Sequence, residues 1–95
     1  AKKAGLDPET VLKSIGKGAA ESWSLNNLGP RIIAGNVDPG FYIKHFIKDM
    51  DIASLSSAKM GLDTPGLDLT LSLYKKMVEL GFENNGTQAL FKLFE

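Results

Sequence analysis

Proline and glycine cut this chain into lengths that helices fill and strands do not. Asp7-Pro8-Glu9-Thr10 is a strong helix start, with Asp7 at the N-cap and Pro8 in the first helical position, where its missing amide costs nothing. Val11, Leu12 and Ile15 continue the stripe toward Gly16 and Gly18, which predicts a short helix over 8–16. Residues 19–34 carry Trp23, Leu25, Leu28, Ile32 and Ile33, but Gly29-Pro30 is expected to bend that run or split it. A turn-rich loop, Gly35 to Gly40, precedes a long helical pattern from Phe41 to Met60 that stops at Gly61. Asp63-Thr64-Pro65 restarts a helix that runs from about Gly66 to Leu80 and ends at Gly81. After the loop Glu83 to Gly86, Thr87 is placed to cap a last helix bearing Leu90, Phe91 and Phe94. No run of alternating residues appears, so the expected class is all-α, a helical bundle. The opening A-K-K-A-G reads as the last turn of a helix, with Lys2 and Lys3 at its negative end and Gly5 in the left-handed cap, so the sequence reads as cut from something longer.

Ninety-five residues make one small module with a single core, below the usual size of an enzyme that also holds a cofactor. Eleven basic side chains balance eleven acidic ones, and no segment strings five like charges together. The field that draws a nucleic acid or an anionic membrane is therefore missing. With no cysteine there is no disulfide, thiol nucleophile or thiolate metal site, and the chain suits a reducing, cytoplasmic setting. The apolar runs are too short to enter a membrane.

Chemistry has few places to reside. A metal site needs three or four convergent ligands, yet His45 is the single histidine and has no thiol or paired imidazole to join it. As a catalytic base it would need a nucleophile in a strained turn, which the sequence does not offer, so His45 reads as a surface or interdomain contact. The glycines form neither G-x-G-x-x-G after a strand nor G-x-x-x-x-G-K-[ST], so no dinucleotide or phosphate cradle lies within the chain.

The stretch P-G-F-Y-I-K-H-F-I-K-D-M-D, residues 39–51, is less ordinary. At about 100° per residue, Ile43, Phe46, Ile47, Met50, Ala53, Ser54, Ser57 and Ala58 share one face, which is the expected core stripe. Lys44, Lys48, Asp51 and Lys59 lie opposite. Ile52 and Leu55 share that second face, so it is not the wholly polar surface of a helix whose far side meets only water. A second covered contact is implied. Lys44 and Lys48, four apart, repel by a few tenths of a kcal/mol in an isolated helix, which makes sense if one of them has a polar partner elsewhere.

These pieces occur in a familiar order: A-G-L-D-P-E, then G-A-A-E-S-W-S-L-N-N, then D-P-G-F, six residues, K-D-M-D-I-A, then A-K-M-G and a proline. The succession resembles the C-terminal helical domain of the β-hydroxyacid dehydrogenases, a family that includes 3-hydroxyisobutyrate dehydrogenase and tartronate semialdehyde reductase. It covers nearly the whole chain, and its most specific piece is G-F followed by six residues and K-D. The resemblance implies a two-domain enzyme that moves hydride between a hydroxy acid and its oxo form. An N-terminal Rossmann domain of the same chain would bind NAD or NADP, a long interdomain helix would follow, and residues 1–95 would close the cleft. The family's catalytic lysine, in a G-x-x-G-x-x-x-K-x-x-x-N segment, has no counterpart here and would lie upstream of Ala1, so no catalytic residue is expected in these 95. By the same resemblance Lys48 contacts the cofactor near its reactive end, while Asp49 and Phe41 line the cofactor and substrate cleft. The family's aspartate and serine before the last helix are replaced by Asn85-Gly86-Thr87. Trp23 could also face that cleft, but it reads more readily as core. A homo-oligomer is expected from the apolar surface around Ile52 and Leu55.

A competing reading makes the chain a non-enzymatic helical interaction module that binds a protein through Ile52 and Leu55. An intact small enzyme is disfavoured by the missing cofactor loop and base.

Overall fold

The computed structural model describes residues 1–95 and contains four α-helices and two 3₁₀ segments. The single piece of β pairing is an isolated antiparallel bridge between Tyr42 and Gly86. The class is all-α. By chain contacts it divides into two compact units, residues 1–37 and residues 38–95.

The first unit opens on a 3₁₀ turn, Lys2–Ala4, closed by Gly5 at φ 77°. Helix α1 (Pro8–Ile15) begins where its sequence dictates: the Asp7 carboxylate accepts from the Thr10 amide at 3.1 Å and from the Thr10 hydroxyl at 2.6 Å. Those bonds, the hydroxyl's first, hold the Asp7 pKa below its ordinary value of 3.8. Helix α2 (Trp23–Ile33) starts later than expected, because residues 19–22 stay outside it and Ser22 takes the N-cap, accepting from the Leu25 amide at 2.9 Å. Pro30 lies inside α2 without dividing it. Gly29 explains part of this, since the residue before a proline is pushed away from helical dihedrals by its own Cβ and glycine has none. Gly29 also receives Leu12 of α1: a Cβ there would stand 3.1 Å from both Leu12 methyls. Leu12 thus packs onto bare backbone of α2, and although Val11, Leu25, Leu28 and Ile32 are half-buried, no hydrophobic side chain of this unit is fully buried. Trp23, expected in the core, is 68% exposed. Its position in the first turn of α2 puts it on the rim of a pair of helices too short to enclose an indole.

The second unit holds the core. Helices α3 (Ile43–Lys59) and α4 (Pro65–Glu79) run antiparallel, with Ser54 bonded to Asp68 and Asp51 paired to Lys75 at 3.3 Å. Ile43 and Met50 of α3, Leu71, Tyr74 and Met77 of α4, and Ala89 of the closing 3₁₀ segment (Thr87–Phe94) are buried together. Fully burying Ile43 or Met77 is worth about 1.5–3 kcal/mol each. Of the expected stripe on α3, Phe46, Ile47, Ser54 and Ser57 are half-buried, whereas Ala53 and Ala58 at its edge remain exposed. Gly61 and Gly81, at φ 71° and 89°, end α3 and α4 in the left-handed conformation expected of them. The last segment is 3₁₀ rather than α, and Gly86 rather than Thr87 occupies its cap with no side-chain bond. Thr87 is engaged elsewhere: its amide donates to the Phe41 carbonyl at 3.1 Å.

Candidate cofactor and substrate face

The start of α3 is built by a segment forty residues away. Tyr42 stands at the N-cap but offers no side-chain acceptor, so the first helical amides need other partners. Ile43 donates to the Asn85 carbonyl at 2.9 Å and Lys44 to the Glu83 carbonyl at 3.1 Å. Phe41 and Tyr42 are thereby drawn into pairing with Gly86 and Thr87, and for this reason α3 begins at Ile43 rather than Phe41. The buried Gln88 adds a further tie, its Nε2 donating to the Asp38 carbonyl at 2.9 Å. Gly86 is buried where a Cβ would collide with the Gln88 side chain and stand 2.9 Å from the Asp38 carbonyl, so only glycine fits.

This platform sorts the charges of residues 44–51. The Lys44 ammonium donates to Asn84 Oδ1 at 2.8 Å and lies 5.2 Å from the centre of the Tyr42 ring. Asp51 pairs with Lys75. The side chains of Lys48 and Asp49 are exposed and make no hydrogen bond or ion pair within the chain. Of four charges on two turns, the outer pair is consumed internally and the central Lys48-Asp49 pair is free. The expected partner for one of the two lysines exists, and it belongs to Lys44.

Phe41 lies in the extended segment just before α3, 44% exposed, with its ring 5.8 Å from that of Phe46. Phe46 in turn meets Tyr74 edge-on at 5.0 Å, and the Tyr74 hydroxyl donates to the Thr87 carbonyl at 2.8 Å. Burial pushes the Tyr74 pKa up. No hydrogen bond, ion pair or ring–cation contact links Phe41 to Lys48 or Asp49, so what they share is the start of α3 and its platform. His45 is exposed with its ring 5.3 Å from Tyr42. Beyond Lys48 the same stripe of α3 continues through Ile52, 57% exposed, Leu55, 60% exposed, and Lys59. The first unit, by itself, carries an open groove of about 570 Å³ lined by Lys13, Lys17, Glu21 and Asn26 among others. No group of three or more His, Cys, Asp or Glu converges as a metal site would require, and no helix is long and apolar enough to cross a membrane.

Residues 1–94 match the family described as NAD-binding of NADP-dependent 3-hydroxyisobutyrate dehydrogenase. The chain belongs to this family. Within it, the chain is 58% identical over 94 residues to the uncharacterized oxidoreductase YkwC of Bacillus subtilis (strain 168), covering 99% of this chain and 33% of that protein. It is 44% identical over 95 residues to a probable 3-hydroxyisobutyrate dehydrogenase-like 1, mitochondrial, of Arabidopsis thaliana, covering all of this chain and 28% of that one. The chain therefore spans about a third of the length of the curated relatives it matches. The fold recurs in the crystal structure of 3-hydroxyisobutyrate dehydrogenase from Salmonella typhimurium, with a TM-score of 0.91 and 19% identity, over 99% of this chain and 33% of that one. Family membership makes this an NAD-binding domain of dehydrogenase-like oxidoreductases, and the relatives named are oxidoreductases.

Proposed function

We propose that residues 1–95 are the C-terminal helical domain of an NAD(P)-dependent hydroxyacid dehydrogenase, closing a cleft against an N-terminal Rossmann domain of the same chain. In this reading Lys48 meets the cofactor near its reactive end, and Phe41 and Asp49 line the cleft around a small hydroxy acid. The observation that carries it is the free Lys48-Asp49 pair between two charges already used, Lys44 and Asp51. An ammonium with no internal acceptor donates to a ligand's amide or ribose oxygen without breaking anything, and adds positive potential beside a carboxylate substrate. The half-exposed Phe41 ring offers an apolar cover. These residues fit the nicotinamide end of a dinucleotide. They do not fit its phosphates, for which the helices present no glycine-rich cradle, so most of the cofactor is held elsewhere. The bound cofactor supplies hydride transfer, while this domain supplies orientation, charge and exclusion of water.

The proposal extends to a homo-oligomer in a cytoplasmic setting and to lack of turnover by the 95 residues alone. The alternative, a protein-binding module acting through Ile52 and Leu55, rests on the exposure of both side chains.

The deciding experiment is Lys48→Ala in the full-length enzyme. Loss of a charge-assisted hydrogen bond of about 1.5–3 kcal/mol lowers kcat/KM by roughly tenfold to a hundredfold. Lys44→Ala, whose amine is already engaged by Asn84, has the smaller kinetic effect. Equal kinetics for both variants and the wild type would reduce Lys48-Asp49 to a solvated helix surface.

A further inference from the structure

Phe41 is held from two directions at once, and both lead to the same residue. Its carbonyl accepts from the Thr87 amide, and the Thr87 carbonyl accepts from the Tyr74 hydroxyl at 2.8 Å. Its ring rests near that of Phe46, which rests edge-on against the Tyr74 ring. Backbone and side-chain routes thus close a loop that runs Phe41, Thr87, Tyr74, Phe46 and back to Phe41. Tyr74 is 7% exposed, deep in the core between α3 and α4, while Phe41 is exposed. A phenylalanine at position 74 would serve the packing equally well, so the hydroxyl needs its own explanation.

We propose that Tyr74 is a positioning residue for the substrate face, its hydroxyl fixing Thr87 and, through the Thr87 amide, the backbone and ring of Phe41. This rests on the reading of Phe41 as a wall of the substrate cleft. The device suits its place: the hydroxyl is buried, its pKa is raised, and it stays a neutral donor across the working range of an enzyme. Nothing in the loop is charged, so it fixes Phe41 without altering the field at Lys48 and Asp49. Its expected signature is a change in how the hydroxy acid binds with little change in the chemical step.

The test uses the full-length enzyme carrying 4-fluorophenylalanine at position 41, with and without Tyr74→Phe, alongside steady-state kinetics on 3-hydroxyisobutyrate at saturating NAD or NADP. Removing one hydrogen bond through which Phe41 is held raises KM for the hydroxy acid by about 2–10-fold. Over the same change kcat moves by less than about twofold, since no transition-state contact is lost. The fluorine resonance of residue 41 shifts or broadens, the ring of Phe41 pairing with that of Phe46 and not with that of residue 74. The double variant Tyr74→Phe with Phe41→Ala binds no worse than Phe41→Ala alone, as expected when one residue acts through the other. An unchanged fluorine resonance in Tyr74→Phe overturns the proposal, as do KM effects of the two changes that simply multiply. If Phe41→Ala itself leaves KM untouched while the fluorine resonance moves, the positioning role stands and the placing of Phe41 in the substrate cleft fails. A purely structural Tyr74 would lower the melting temperature of Tyr74→Phe and leave both the resonance and KM in place.

Discussion

A lysine on a helix surface is defined by what its amine can reach, and on α3 two lysines one turn apart differ in that respect. Lys44 reaches Asn84 and the Tyr42 ring, while Lys48 reaches nothing in the chain. Their stabilities should therefore separate in the sense opposite to their kinetics. Lys44→Ala removes an exposed hydrogen bond that helps hold the 83–86 loop against α3 and should cost up to about 1 kcal/mol. Lys48→Ala should stay within about 0.5 kcal/mol. Urea melts of the two variants check this, and a larger loss for Lys48→Ala would mean that Lys48 has a structural partner. Periodicity places both lysines on one stripe and shows that one partner is wanted. It does not say which lysine receives it, because Asn84 is forty residues away and only the folded chain brings it near. Trp23 was illegible for a related reason. An indole at helical spacing looks like core in any sequence, and its exposure depends on how little apolar surface α1 and α2 offer to cover it.

Among the elements, the starts of α1 and α3 show two ways of satisfying the same orphan amides. Helix α1 uses its own side chain, Asp7, and this was readable from four residues. Because Thr10 holds the Asp7 pKa below 3.8, the stabilisation is present above that value and is lost as pH falls through the lower folded value. Melting temperatures of the wild type and Asp7→Ala should differ at neutral pH and converge as acid protonates the carboxylate below its ordinary range. A difference that persists in acid would show that the carboxylate's charge is not the cause. Helix α3 instead uses backbone carbonyls of residues 83 and 85, and no local pattern announces such a cap. Its sequence trace is Gly86, whose missing Cβ lets Gln88 and Asp38 close over it. Gly86→Ala should cost about 1–3 kcal/mol, as expected of overpacking against backbone, and loosen the start of α3 where Phe41 resides. A melt unchanged by that substitution would show that the contact relaxes freely. Of the bend or split expected at Pro30, the split does not occur, and sequence alone could not choose between them, since the outcome turns on the absence of a side chain at Gly29.

At the scale of the molecule, the class and the order of helices followed from the punctuation of the chain, but the uneven distribution of its core did not. All six buried hydrophobic residues belong to residues 38–95. Residues 1–37 hold two capped helices and a glycine-mediated contact, with Leu6, Ile15, Trp23 and Ile33 left exposed. Short helices draw most of their stability from burying an apolar face rather than from helix propensity, so α1 and α2 in the 95-residue chain have only marginal support of their own. Local unfolding free energy follows buried apolar contact, and it should therefore be lower for the first unit than for the second. Hydrogen exchange on the isolated chain checks this directly. Amides of α1 and α2 should exchange through local opening at rates well above those of α3 and α4, whose slowest amides, near Ile43 and Met77, should report global unfolding. The proposed two-domain arrangement supplies the contrast: if an N-terminal domain covers the exposed apolar side chains of the first unit, protection of α1 and α2 in the two-domain protein should rise toward that of α3 and α4. Equal protection of both units in the isolated chain would mean that the first unit is stable without further burial, and Trp23 and its neighbours would then be ordinary exposed side chains.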